Sequence, residues 1–182
     1  MLSGILAYLV SLPIWTADSW EPPEARRARL EVAAQAIVEA SRGDRQVAAA
    51  VAVQGGRESL FSVGWGQCQC DTARGECDRG KAHGYWQWHR IPSEPVESWE
   101  ALCSVEAMPV LVAATRTAKW LRGCSLGDRV CLAGKYARLG GLPMESPPEW
   151  AFGRADASIR LAEKIRPNKK SLASRKPLAL SE

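Results

Sequence analysis

Residues 44–59, Asp44-Arg45-Gln46-Val47-Ala48-Ala49-Ala50-Val51-Ala52-Val53-Gln54-Gly55-Gly56-Arg57-Glu58-Ser59, decide how the rest of the chain is read. Asp44 carries the short acceptor side chain that caps a helix N-terminus, and Val47 to Val53 hold only Ala and Val. A helix that is apolar on every side has no face to offer water, so it belongs at the centre of the molecule. Gly55 and Gly56 are expected to loosen the chain directly after it, leaving Glu58 where a buried helix gives way to a loop.

Outward from this centre the pattern stays mainly helical. After Pro22 and Pro23, the residues Leu30, Ala33, Ala34, Ile37 and Val38 recur at helical spacing, which predicts an amphipathic helix ending near Gly43. Residues 62–80 are rich in Gly, Cys, Asp and Gln and keep no period, so a cross-linked loop with a small hairpin is expected there. Helical signals return with Ser98 as a cap before Trp99, Ala101 and Leu102, and continue through Val110, Leu111, Ala114, Ala118 and Leu121. Two further helices are predicted, over residues 128–139 and 149–165, stopped by Gly140 and Pro167. The expected fold class is mainly α, of an α+β kind, with a loop-rich cleft beside the central helix.

The 182 residues are 46% hydrophobic, enough for one substantial core and too few for two large domains. We expect a monomer with an apolar N-terminal segment (1–20), a single domain (21–166) and a basic flexible tail (167–182). Residues 1–16 carry no charged side chain; they read as a signal-peptide core, as a membrane tether, or as Ile5, Leu9 and Trp15 capping the core. The net charge is +4, with positive residues gathered near the end at Lys164, Arg166, Lys169, Lys170, Arg175 and Lys176. Such a balance suits an anionic partner. No basic stripe interleaved with aromatics is present, so nucleic acid is not the expected one.

Six cysteines, Cys68, Cys70, Cys77, Cys103, Cys124 and Cys131, form an even set. Disulfides in an oxidising, extracytoplasmic compartment are the first reading, with a bridge inside the Cys68 to Cys77 segment and Cys124 near Cys131 or Cys103. Zinc held by Cys68, Cys70, Cys77 and His83 is the competing one, although neither pair in that loop has the Cys-x-x-Cys spacing of a standard site. No metal and no cofactor are expected.

Glycosidic bond cleavage needs a carboxyl able to give a proton to the leaving oxygen, and apolar surroundings favour the protonated form of such a group. Glu58 follows the Ala/Val helix and precedes Leu60, Phe61 and Trp65. Trp65, Trp86 and Trp88 cluster with Tyr85 in the sequence around this point, and aromatic faces stack on sugar rings. Trp120 and Trp150 are expected in the core, and His83 and His89 in loops.

Arg57, Glu58, Ser59 and Phe61 resemble the Glu-Ser-x-Phe segment that holds the acid of lysozyme-like lytic transglycosylases. Gly64, Trp65 and Gly66 resemble the Gly-Trp-Gly of the related goose-type lysozymes. Gly84, Tyr85, Trp86 and Gln87 look like the family's Gly-Leu-Met-Gln, and Lys135, Tyr136 and Gly140 sit where it has Ala-Tyr-Asn-x-Gly. The resemblance runs from about Asp44 to Ile165. It departs from the pattern at Ala137, which stands in place of the Asn, and at His89, where goose-type enzymes carry an acid. It implies a peptidoglycan-cleaving enzyme with Glu58 as acid and Ser59, Trp65, Tyr85, Trp86, Gln87 and Tyr136 around the glycan, the Tyr136 hydroxyl pointing at the carboxyl.

Hydrolysis would need a second carboxylate, and the position at His89 does not supply one. Asp71, Glu76 and Asp78 in the cysteine loop are the other candidates. The expected reaction is therefore that of a lytic transglycosylase, in which the sugar's own 6-hydroxyl closes a 1,6-anhydro ring. A hydrolytic muramidase, an inactive glycan-binding protein on the same scaffold and a zinc-bound interaction module are the alternatives.

Overall fold

A computed structural model describes residues 1–14, 18–69, 82–89 and 100–165. Its helices are α1 (Leu2–Ser11), α2 (Pro23–Ser41), α3 (Arg45–Ser59), the short α4 (Val63–Gly66), α5 (Ala107–Leu121), α6 (Arg129–Leu139) and α7 (Glu149–Lys164). Between α4 and α5 lies a two-stranded antiparallel hairpin, β1 (Ala82–His83) and β2 (Trp88–His89), in the register Ala82 to His89 and His83 to Trp88. The described residues are thus mainly helical; α4 forms inside the 62–80 stretch read as a loop, residues 70–80 of that stretch lie outside the described residues, and the described hairpin follows it.

The central helix is α3. Asp44 caps it by accepting from the amides of Gln46 and Val47, a contribution of about 1 kcal/mol. Every residue from Gln46 to Gly56 is buried, and Ala48 through Val53 are wholly so. Around it, α2 packs on α5, α6 on α7, and α3 itself on α7, α2 and α5. In α1, Ile5 and Leu9 are fully buried in the same core, as their reading as core-capping residues has it. No helix among the described residues is long and apolar enough to cross a membrane. Trp15 and the basic tail lie outside the described residues.

One expectation about α3 is corrected. Gly55 and Gly56 do not loosen the chain; they lie inside the helix, which runs on to Ser59. Close packing is the reason for them: a Cβ on Gly55 would meet the Phe61 ring at 2.4 Å, and one on Gly56 the Tyr8 hydroxyl at 2.9 Å. Termination comes instead at Leu60 and Phe61, both left-handed at φ 53° and 52°. The Ser59 hydroxyl bonds to the Gly55 carbonyl and accepts from the Phe61 amide, turning the Phe61 ring back onto Gly55. Glu58 is thereby held in the last helical turn.

The bridge Cys124–Cys131 matches expectation, whereas Cys68 joins Cys103, 35 residues away, and not a cysteine of its own loop. Cys70 and Cys77 lie outside the described residues. The longer loop closed by Cys68–Cys103 restricts the unfolded chain more than the seven-residue separation of the other pair. A sulfur committed to a disulfide is not a thiolate, so the zinc set of Cys68, Cys70, Cys77 and His83 is not assembled. His83 stands beside the bridge, its Nδ1 3.3 Å from Cys103 Sγ.

Candidate active site

The end of α3 opens into a cavity of about 510 Å³ lined by Gln54, Glu58, Trp86, Gln87, Trp88, His89, Thr117, Leu139, Gly140, Gly141, Trp150 and Arg154. Two helices face each other across it. On α3, Gln54 and Glu58 are one turn apart and share a face; their side chains are linked by a 3.0 Å hydrogen bond from Gln54 Nε2 to Glu58 Oε1. On α7, Trp150 and Arg154 repeat the same spacing, and the Arg154 guanidinium lies 4.7 Å from the Trp150 ring centroid.

Arg154 Nη1 donates to both α3 side chains, at 2.5 Å to Glu58 Oε1 and 2.8 Å to Gln54 Oε1. Glu58 is therefore ion-paired, with 27% of its side chain exposed, and does not sit against a purely apolar wall as its sequence neighbours suggest. Arg154 was invisible to the sequence reading. The only local trace is the Trp150/Arg154 spacing on one helix face, and nothing in it says that this face meets Glu58.

The opposite wall is the β1–β2 turn. Gly84 is left-handed at φ 66°, and a Cβ there would lie 2.5 Å from the Leu102 carbonyl, so the turn needs glycine at this point. Gln87, also left-handed at φ 50°, folds its amide back to donate to the Gly84 carbonyl. Trp86 is buried and donates its indole N–H to the Val51 carbonyl, tying the turn directly to α3. Trp88 donates to the Thr117 hydroxyl of α5. Leu139 to Gly141, at the end of α6, complete the lining; a Cβ on Gly140 would reach within 3.3 Å of the Trp150 ring.

Of the residues predicted for the site, Glu58, Trp86 and Gln87 come together on this cavity, and four do not. Ser59 is buried in the turn that ends α3. Trp65 is half-buried on α4. Tyr85 is a core ring, 5.1 Å from Phe61 and 6.1 Å from Trp86 between centroids, and its hydroxyl accepts from Arg29. Tyr136 is fully buried; its hydroxyl donates to the Ala50 carbonyl and pairs with Ser158, and is not committed to Glu58. Burial pushes the phenols of both tyrosines upward, Tyr85 to about 12. In exchange the cavity takes Trp150, 42% exposed and not the core residue anticipated; Trp120, also expected inside, is 43% exposed on α5.

A second ion pair supports the site from behind. Arg29 of α2 clasps Glu21 through two nitrogens at 2.8 and 2.6 Å, donates to the Phe61 carbonyl at 2.5 Å and reaches the Tyr85 hydroxyl at 3.0 Å. It fixes the turn after α3 and the hairpin ring together. Asp18, likewise buried, accepts from the amides of Val63 and Gly64 at the start of α4.

Glu58 is the only carboxylate among the described residues that line the cavity, and Arg154 the only Arg or Lys. Asp71, Glu76 and Asp78 lie outside the described residues. Chemically the arrangement offers a carboxyl, a guanidinium, two amides, an imidazole, a hydroxyl and the Trp88 and Trp150 indole rings, backed by the buried Trp86, on a concave surface, which suits a polyhydroxylated ligand with apolar faces. No protein-family model, no curated protein and no solved structure matches the chain.

Proposed function

We propose that this protein cleaves the β-1,4 glycosidic bond of peptidoglycan strands as a lysozyme-like lytic transglycosylase, with Glu58 as general acid and then general base. The observation that carries the proposal is the position of Glu58 at the mouth of a buried helix, facing a cavity walled by Trp86, Trp88 and Trp150 with Gln87 beside it. Indole faces stack on sugar rings, and the amides of Gln54 and Gln87 suit the acetamido and hydroxyl groups of amino sugars.

In the first half of the reaction, Glu58 gives its proton to the glycosidic oxygen as the bond to C1 breaks. In the second, the Glu58 carboxylate takes the proton of the sugar's 6-hydroxyl while that oxygen closes on C1. One carboxyl serves both halves. Hydrolysis with an activated water would call for a second carboxylate, and the described lining contains only Glu58. Tethering of the 6-hydroxyl next to C1 makes the closing step intramolecular, an advantage worth several kcal/mol when the geometry is right. The two described disulfides suit an oxidising, extracytoplasmic setting, where the glycan is found.

Digestion of purified sacculi tests this reading. Wild-type protein is expected to release fragments with 1,6-anhydromuramic ends, and Glu58→Gln, nearly isosteric but without a proton to give, is expected to be slower by about 10²–10⁴-fold. Predominantly reducing ends in the mass spectrum would make the protein a muramidase. Equal digestion by wild type and mutant would remove Glu58 from the mechanism. A second reading, glycan binding without cleavage, is favoured by one feature, the Arg154 ion pair on the carboxyl; no release of fragments together with measurable binding to sacculi would select it.

A further inference from the structure

Arg154 holds the Glu58 carboxyl in an ion pair, so that pair has to open before Glu58 can meet a glycosidic oxygen. The geometry around Arg154 shows what opens it. Only Nη1 of the guanidinium meets acceptors among the described residues, Gln54 and Glu58. Nε and Nη2, the rest of its fork of five N–H donors, have none there. The plane of the guanidinium is braced on Trp150 at 4.7 Å, and the side chain remains 19% exposed. It is the only Arg or Lys of the described cavity lining. A braced guanidinium with an open edge at the rim of a cavity is built for bidentate contact with a carboxylate.

Resting on the reading above, we infer that Arg154 is the receptor for a carboxylate of the substrate, and that this carboxylate takes Arg154 away from Glu58 and so arms the acid. Peptidoglycan differs from a neutral amino-sugar polymer in that its muramic residues bear a lactyl group, and the stem peptide attached there brings carboxylates of its own. When such a carboxylate engages the open edge of the guanidinium, the positive charge stays paired. Glu58 is then released from the guanidinium and can turn to the glycosidic oxygen. The ligand class is thus an acidic amino-sugar glycan. Neutral chitin-type chains would fill the same indole-walled cavity but leave the acid paired.

Binding of one small ligand in two charge states to the full-length protein tests this without relying on catalysis. The disaccharide GlcNAc–MurNAc carries the lactyl carboxylate, and its methyl ester keeps the same sugars without the charge. Isothermal titration of wild type is expected to show the acid bound roughly tenfold or more tighter than the ester, the range of a charge-assisted hydrogen-bonded contact. Arg154→Gln should bind both forms at the affinity of the ester, and Arg154→Lys should retain only part of the preference. Equal affinity of wild type for the two forms, no binding of either, or an undiminished preference in a folded Arg154→Gln overturns the proposal. If Arg154→Gln fails to fold, the acid-to-ester ratio of wild type and the loss in Arg154→Lys decide. A preference for the acid without any cleavage of sacculi would leave the receptor standing and remove the enzyme; cleavage of sacculi with no preference would do the reverse.

Discussion

Two arginine–glutamate pairs in this protein have the same chemistry and opposite surroundings. Arg29 and Glu21 are 7% and 6% exposed and meet through two hydrogen bonds, and with the Phe61 carbonyl and the Tyr85 hydroxyl on Nη1 every nitrogen of the guanidinium has a partner. Arg154 and Glu58 are 19% and 27% exposed, meet through one nitrogen, and open onto a cavity of about 510 Å³. A sealed pair that satisfies its donors cannot exchange partners without unfolding the region around it. An open pair with unused donors can. The difference lies in enclosure and satisfaction, not in residue type, and it divides a structural pair from a functional one.

The sharpest way to break the comparison is to remove the sealed arginine. Arg29→Leu strands the Glu21 carboxylate, the Phe61 carbonyl and the Tyr85 hydroxyl in a buried setting, and should lower unfolding stability by about 3–5 kcal/mol in urea titrations. A loss below about 1 kcal/mol would mean that the network does not hold the turn and the hairpin together.

A second test uses pH. Burial pushes the Tyr85 phenol up to about 12 from the ordinary 10.0, with Arg29 pulling the other way, and the buried Tyr136 phenol is raised as well. A raised folded-state value means stability that is intact below pH 10 and lost as pH climbs toward the folded value, at up to about 1.4 kcal/mol per pH unit for each tyrosine. Tyr85→Phe should flatten part of that fall. Identical pH dependence of mutant and wild type above pH 10 would show that Tyr85 ionises without disturbing the fold.

The smallest effect is expected at the open pair. Arg154→Gln should change stability by about 0–1 kcal/mol, as partly exposed pairs do, while altering ligand preference as described above. A cost equal to that of Arg29→Leu would make both pairs structural.

The mainly helical fold was legible because its signals are local. Asp44 announces a helix start through an acceptor two or three residues from the amides it caps, and the all-apolar Val47 to Val53 run names the helix that must be buried. Glu58 was legible through its place at the end of that run. The misread glycines show the limit of such signals. Gly55 signals flexibility in a sequence, yet here it makes room inside a helix for the Phe61 ring, a contact visible only once the turn at Leu60 and Phe61 is known.

Sequence alone determined the long helices α2, α3, α5, α6 and α7, though not α1 or the short α4, which helix lies at the centre, and that a carboxyl stands where that helix ends. Tertiary structure alone decided what the carboxyl meets. Arg154 lies 96 residues from Glu58, and the distance between their side chains is set by how α3 packs on α7. The aromatic walls were decided in the same way: Tyr85 turned into the core because tethers such as Trp86 to Val51 and the reach of Arg29 orient the hairpin as a whole, while Trp150 lines the cavity from α7, under the Arg154 guanidinium. Periodicity and capping act within about four residues and are written in the chain. The pairing of charges across two helices depends on packing over the entire core, which no short window of sequence contains.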